Sequence, residues 1–264
     1  MATGSLRTLR FAPTPLYLGV ALIATAAALP SARVAASFIV DALLAGRGAA
    51  VASASPFDGN PLAPTSVSFQ QGVAGYTGAV DTYINANSGA ATTDNSGAVT
   101  LTVDLAPDVQ QGLIKFGGLF VSEGGPIPNT ATINSASLTV NVTNVTAVPI
   151  GLHRMKQAWS AANTWNTFGA TPWNATAGIQ IDGVEAEITP DASSTVPAAG
   201  LNTVTFNVLS GIQAWASNPA SNFGWVLNET TDDGLVFDSS EGATATNRPK
   251  LSITYTAAGC TTGA

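Results

Sequence analysis

The feature that most limits what this chain can fold into is an alternation of period two, clearest in its last ordered-looking segment. There Leu251, Ile253 and Tyr255 alternate with Lys250, Ser252 and Thr254 directly after Pro249. A period of two puts each set on its own face, so the segment predicts a half-buried strand with an apolar inner side. Pro249 suits the first position of such a strand, which needs no ladder hydrogen bond from its nitrogen. A domain that ends on a core strand needs an earlier strand to receive it.

Upstream, short strands are predicted at 67–70, 81–84, 99–105 and 113–116. In the third of these Val99, Leu101, Val103 and Leu105 are expected inward, and Gly117-Gly118 marks either a bulge or a close backbone approach. A long segment follows in which Ile133, Leu138, Val140 and Val142 face one way and Thr139, Asn141 and Thr143 the other. Residues 150–155 are expected to pair beside it, ending near Trp159. Further strands are predicted at 179–188, 201–208, 223–227 and 235–237. Leu209, Ile212 and Trp215 change to three-residue spacing, which predicts one or two helical turns stopped by Asn218-Pro219. Ten or so short strands with turn signals between them predict an all-β, jelly-roll β-sandwich of antiparallel strands with one short helix near 209–215. Only 9% of the 264 residues are charged, and the abundant Thr, Ser and Asn suit the wet faces of such strands.

The ends of the chain read differently. Arg7 and Arg10 precede an apolar run from 16 to 29, too short and Ala-rich for a comfortable membrane span and fitting a secretory signal. Small residues at Val34-Ala35-Ala36 and at Ala52-Ser53-Ala54 offer two cleavage sites; the later leaves Ser55-Pro56 as an ordinary loop start. The expected organisation is therefore a signal and Ala-rich leader over 1–54, a linker over 55–64, a β-sandwich over 65–256 and a tail over 257–264. Export to the outside of the cell or its surface follows, with no transmembrane span in the mature chain. The single cysteine, Cys260, lies in the tail, so no intrachain disulfide forms; an intermolecular bond and an inert tail residue are both open.

Four of the nine basic residues and one of the sixteen acids lie before residue 55, leaving five basic against fifteen acidic residues in the remainder. Nucleic acid is disfavoured as a partner, because affinity for phosphate backbones comes mostly from Lys and Arg. Anionic polysaccharides are disfavoured by the same argument unless a local cation cluster or a bridging ion reverses it.

Nine short pieces in one order carry a family resemblance. They are Asp81-Thr82-Tyr83-Ile84, Leu113-Ile114-Lys115-Phe116, Ile133-Asn134-Ser135-Ala136-Ser137-Leu138, His153-Arg154-Met155 with Trp159, Thr164-Trp165-Asn166, Phe206-Asn207-Val208 with Ile212-Gln213-Ala214-Trp215, Asn222-Phe223-Gly224-Trp225, Phe237-Asp238-Ser239-Ser240-Glu241 and Arg248-Pro249-Lys250-Leu251. Over about residues 65–256 the chain resembles the DNRLRE domain. The resemblance implies a jelly-roll sandwich of secreted and cell-surface proteins, with some members similar to carbohydrate-binding modules attached to alginate lyases and others to an archaeal protein that disperses cell aggregates.

Glycan recognition needs an aromatic face for the sugar's C–H side and amides or cations for its hydroxyls. Trp165 and Trp173, with Asn163, Asn166 and Asn174 beside them in the irregular stretch 160–178, have that composition. The alternative for Trp165 is packing of its loop onto the sandwich. Trp159, Trp215 and Trp225 are expected in the core. Arg154 is a candidate contact for an acidic sugar; its alternative is an ion pair, with Glu241 as the expected partner. Asp81, Asp232, Asp233, Asp238 and Glu241 are hard oxygen ligands suited to a structural calcium ion, and equally to a solvated acidic edge. Glu185 and Glu187 are expected on one exposed strand face. A hydrolytic site would rest on His153, the only histidine, so the chain reads as non-catalytic. Two functions remain open: a module that binds a polysaccharide, and a structural protein of the cell surface or matrix that associates with copies of itself.

Overall fold

The long alternating segment folds as β5 (Thr132–Asn144), and one sheet assembles around it. In the computed structural model residues 62–144, 149–169, 176–195, 203–229 and 234–258 are described. The sequence-based assignments for the signal, leader, most of the linker and the end of the tail lie outside them. So do Trp173, Asn174, Asp232, Asp233 and Cys260.

Across the first sheet the order is β1 (Thr65–Gln70), β11 (Lys250–Thr256), β5, β10 (Leu235–Asp238) and β3 (Thr100–Val103), with β8 (Thr203–Asn207) also paired to β5. The second sheet runs β2 (Ala79–Asn85), β4 (Gln110–Phe116), β9 (Trp225–Glu229), β6 (Pro149–Arg154) and β7 (Ala192–Thr195). All the pairings between these strands are antiparallel. The chain changes sheet at nearly every step, so the connections cross over the ends of the sandwich as in a jelly roll. The helix expected from the three-residue spacing is α1 (Leu209–Ser217), which buries Gly211, Ile212 and Trp215.

β5 resolves a parity conflict in its own sequence. Ala136, Leu138, Val140 and Val142 are buried at even positions, yet Ile133 is buried at an odd one. Lys250 to Thr254 pair in step with Thr139 to Ser135, after which Tyr255 pairs with Ile133. Asn134 is thus the extra residue of a bulge, and the added residue turns Ile133 back to the core.

Three expectations fail for identifiable reasons. Val99 and Leu105 lie outside β3, Val99 58% exposed and Leu105 half-buried, while Leu101 and Val103 are fully buried. Residues 150–155 do not pair with β5: that strand is flanked by β8 and β11 over 137–139, and β6 joins the second sheet between β9 and β7. Residues 179–188 form no strand, and their only β-pairing is the bridge of Met155 with Ala186. Asp182 Oδ1 takes the N–H groups of Val184 and Glu185 and Gly183 donates to Ala186, which closes a turn where a strand was expected. At Gly117-Gly118 the open question is decided for close approach, with Gly117 N–H donating to Gly78 O at 2.8 Å.

Between the sheets lies the main core, including Phe116, Leu138, Phe206, Trp215, Trp225, Phe237 and Leu251. A second apolar cluster joins Ile84, Leu113 and Val226 to Met155, Phe168, Ile179 and Ala186. The first three sit on β2, β4 and β9 with side chains opposite to those of the main core, so Met155, Phe168, Ile179 and Ala186 cover the outer face of the second sheet. Consecutive apolar pairs such as Leu113-Ile114 and Trp225-Val226 are the sequence mark of strands buried on both faces.

Candidate functional site

Residues 160–167 are held first by their own polar side chains. Asn163 Oδ1 accepts the Ser160 N–H at 2.7 Å, and Thr167 Oγ1 accepts the Thr164 N–H at 2.7 Å. Asn166 is exposed, with its backbone N–H on Ala91 O. Trp165 is half-buried and packs into the second cluster. Its ring lies against Gly178, where a Cβ would overlap the indole, and Gly178 holds φ +77° and donates its N–H to Trp165 O at 3.0 Å. Trp165 therefore serves as the pin of the loop. Trp215 and Trp225 are fully buried, as expected, and Trp159 is half-buried with its indole N–H on Phe223 O at 2.6 Å.

Arg154 lies at the end of β6. Its Nε donates to Asp191 Oδ1 at 2.9 Å, so its ion-pair partner is Asp191 and not Glu241. The same carboxylate accepts the indole N–H of Trp225 at 2.9 Å on Oδ2 and the Ser210 hydroxyl at 3.4 Å on Oδ1. Gly211 of α1 lies so close that a Cβ there would overlap Asp191 Oδ2. Asp191 is nearly buried, whereas the Arg154 side chain keeps 27% of its surface. No acceptor among the described residues takes the terminal guanidinium nitrogens. An arginine fixed at Nε with its terminal nitrogens open is preorganised for a carboxylate.

Arg154 borders a cleft of about 210 Å³ that is also lined by Met155, Lys156, Glu187, Trp215, Ser221 and Phe223. Phe223, half-buried, is held there from three sides. Trp159 takes its carbonyl, Asn222 Nδ2 donates to Phe116 O at 2.7 Å, and Met155 N–H donates to Gly224 O at 2.9 Å. Lys156 reaches Glu187 at 3.6 Å, with both side chains more than a third exposed. Such a pair contributes little and can be exchanged for a ligand anion. A cleft this size is below the roughly 300–1,000 Å³ of pockets that enclose small molecules, and suits one unit of a chain lying across the surface. Sequence reasoning singled out Arg154 here but missed Asp191, Lys156 and Phe223; the motif Asn222-Phe223-Gly224-Trp225 carried Phe223 without showing that it lines a cleft.

Of the described calcium candidates, Asp81 and Glu241 meet at Ser240 and Asp238 is bonded elsewhere. Asp238 Oδ2 accepts the Asn141 amide at 2.6 Å. Asp81 is 2% exposed and accepts the Ser240 N–H at 2.8 Å on Oδ2, while Glu241 takes the Ser240 hydroxyl at 2.9 Å. Burial, and then the charge of Glu241, push the Asp81 carboxyl up from 3.8 to about 8. Among the described residues no group of three or more acidic, histidine or cysteine side chains converges as metal ligands. Glu185 and Glu187 do not share a face: Glu185 is fully buried and accepts the Gln180 N–H at 2.7 Å, while Glu187 lines the cleft. His153 Nδ1 lies 2.9 Å from Glu187 O, and a Cβ on Gly151 would meet its Nε2 at 2.8 Å, so the ring is packed in place.

Fold and cleft together define an all-β sandwich with an arginine-bearing surface cleft. No family model matches the chain, and no curated protein matches it.

Proposed function

We propose that this chain is an exported, non-catalytic carbohydrate-binding module of the DNRLRE type that recognises a polysaccharide carrying carboxylate groups. The observation that supports this reading is Arg154, held at Nε by Asp191 with its terminal nitrogens on no acceptor among the described residues, in the lining of a cleft that Phe223 and Lys156 share. A uronate unit would place its carboxylate on Arg154 and Lys156 and its C–H face against Phe223. The local pair of cations is the exception that an acidic chain needs in order to hold an anionic sugar. Trp165 leaves the site in this reading, since its ring is engaged with Gly178.

The test is retention of the full-length chain on immobilised polygalacturonate, alginate, cellulose and chitin, beside a size-exclusion trace. Retention on a uronate polymer by a monomer, lost in Arg154→Gln and reduced in Phe223→Ala, is the expected result. Absence of retention on all four overturns the proposal, and large assemblies forming without sugar favour the self-associating structural role.

A further inference from the structure

A second concavity lies on the other sheet, and it is built by a difference in strand length. Gln70, Lys250, Thr139 and Thr205 form one row across β1, β11, β5 and β8. All four alternate with core-facing neighbours, so the row is on the outer face. β1 and β11 reach no further, but β5 and β8 continue to the pair of Asn141 and Thr203. The step is walled by the turn at Thr246, Asn247 and Arg248, leaving a cleft of about 110 Å³.

That wall is fixed in place. Arg248 donates from Nε to Gly242 O at 2.8 Å and from Nη1 to Gln71 O at 3.0 Å, while Gln70 Nε2 donates to Arg248 O at 2.7 Å. The floor is also settled, with Thr139 bonded to Thr205 at 3.1 Å and Asn141 to Asp238 at 2.6 Å. Lys250 takes part in neither of the ion pairs among the described residues. Exposed Lys250 and exposed Asn247 line the cleft together with Gln70, Thr139, Asn141 and Thr203, so every residue around it carries a polar group. No aromatic ring lines this cleft, so it can read the hydroxyl edge of a sugar and an anionic substituent, but not its C–H face. Of the five basic residues after residue 55, Arg154 and Lys156 border the first cleft and Arg248 and Lys250 the second.

We propose that the cleft at Asn141, Asn247 and Lys250 is a second saccharide site, taking the hydroxyl edge and anionic group of a separate chain segment, so that one molecule can bridge two polysaccharide strands. This inference rests on the carbohydrate-binding reading of the first cleft. Two weak sites on one body gain from each other through effective concentration when a long polymer occupies both.

The experiment is calorimetric titration of the full-length chain with a galacturonate trimer, together with turbidity on adding long polygalacturonate. The expected result is two equivalents of trimer and turbidity with the polymer. The double variant Asn247→Ala, Lys250→Gln changes exposed side chains and should keep the fold by circular dichroism. It should bind one equivalent and give no turbidity, its second site weakened about tenfold or more through loss of a charge-assisted contact. Arg154→Gln should also fall to one equivalent, the remaining one being lost when the three changes are combined. One equivalent in the wild type that Arg154→Gln abolishes and the double variant leaves intact overturns this inference while the first reading stands. No binding of the trimer at all overturns both.

Discussion

The indole N–H of Trp225 donates to Asp191 at 2.9 Å, and the other oxygen of that carboxylate holds Arg154 at the same distance. One buried acid thereby joins the floor of the core to the rim of the cleft. Trp225 also meets Trp215 of α1 with ring centroids 4.4 Å apart, so helix, core and guanidinium share one anchor.

Trp225→Phe keeps most of the ring volume but removes the donor. Loss of a hydrogen bond to a charged acceptor costs about 1.5–3 kcal/mol, to be read from urea unfolding. Asp191→Ala should cost more, because it strips partners from Trp225 and Arg154 together. If the cleft works as proposed, it should weaken saccharide retention even below the temperature at which the variant unfolds.

Asp81 sets the direction of one pH dependence. Its folded pKa of about 8 lies above the ordinary 3.8, so between these values the native state holds a proton that the unfolded state has released. Stability from this group is complete below pH 4 and falls as pH rises towards 8, by on the order of several kcal/mol. Asp81→Asn mimics the protonated acid, accepting from Ser240 and donating towards Glu241. Thermal melts from pH 4 to 9 should show wild type and variant alike in acid and the variant more stable in alkali; parallel profiles would refute the assignment.

Trp165→Ala should lower stability by about 2 kcal/mol through lost packing in the second cluster. Its retention on sugar, measured per folded molecule, should not change. Gly178→Val should be at least as damaging, since it adds left-handed backbone strain of about 1–3 kcal/mol to overlap with the indole. A Trp165→Ala protein of unaltered stability that no longer binds sugar would return the loop to the site.

Deleting Asn134 removes the bulge without reversing any face, because Ile133 then precedes Ser135 and still points inward. The variant loses the Asn134 amide bond to Thr256 at 2.8 Å, worth about 1 kcal/mol, and should stay folded in a thermal melt. Inserting a residue between Leu138 and Thr139 instead turns Val140 and Val142 to solvent and should abolish folding.

Most strands and α1 were legible from local pattern, since a period of two or a three-residue spacing is a property of neighbours in the chain. The alternation of Leu251, Ile253 and Tyr255 is reproduced as burial in β11, and Leu209, Ile212 and Trp215 lie in α1. Legibility failed where a partner distant in sequence decides the outcome. The stretch 179–188 has strand-like composition, but Asp182 and Gly183 close a turn and Ile179 is drawn onto Leu113 and Val226. The site followed the same rule: Arg154 was visible as a candidate, but neither its partner nor the ring beside it was.

By itself the sequence determined an all-β sandwich, its acidic body and the inward side chains of strands such as β5 and β11, because those follow from alternation and composition. Only the tertiary structure decided that β6 leaves β5 for the other sheet, that the second sheet is covered on both faces, that Arg154 answers to Asp191 and that Phe223 stands beside it. Each of these is a meeting of segments tens of residues apart, settled by which apolar faces can be buried together and which buried charges can be paired.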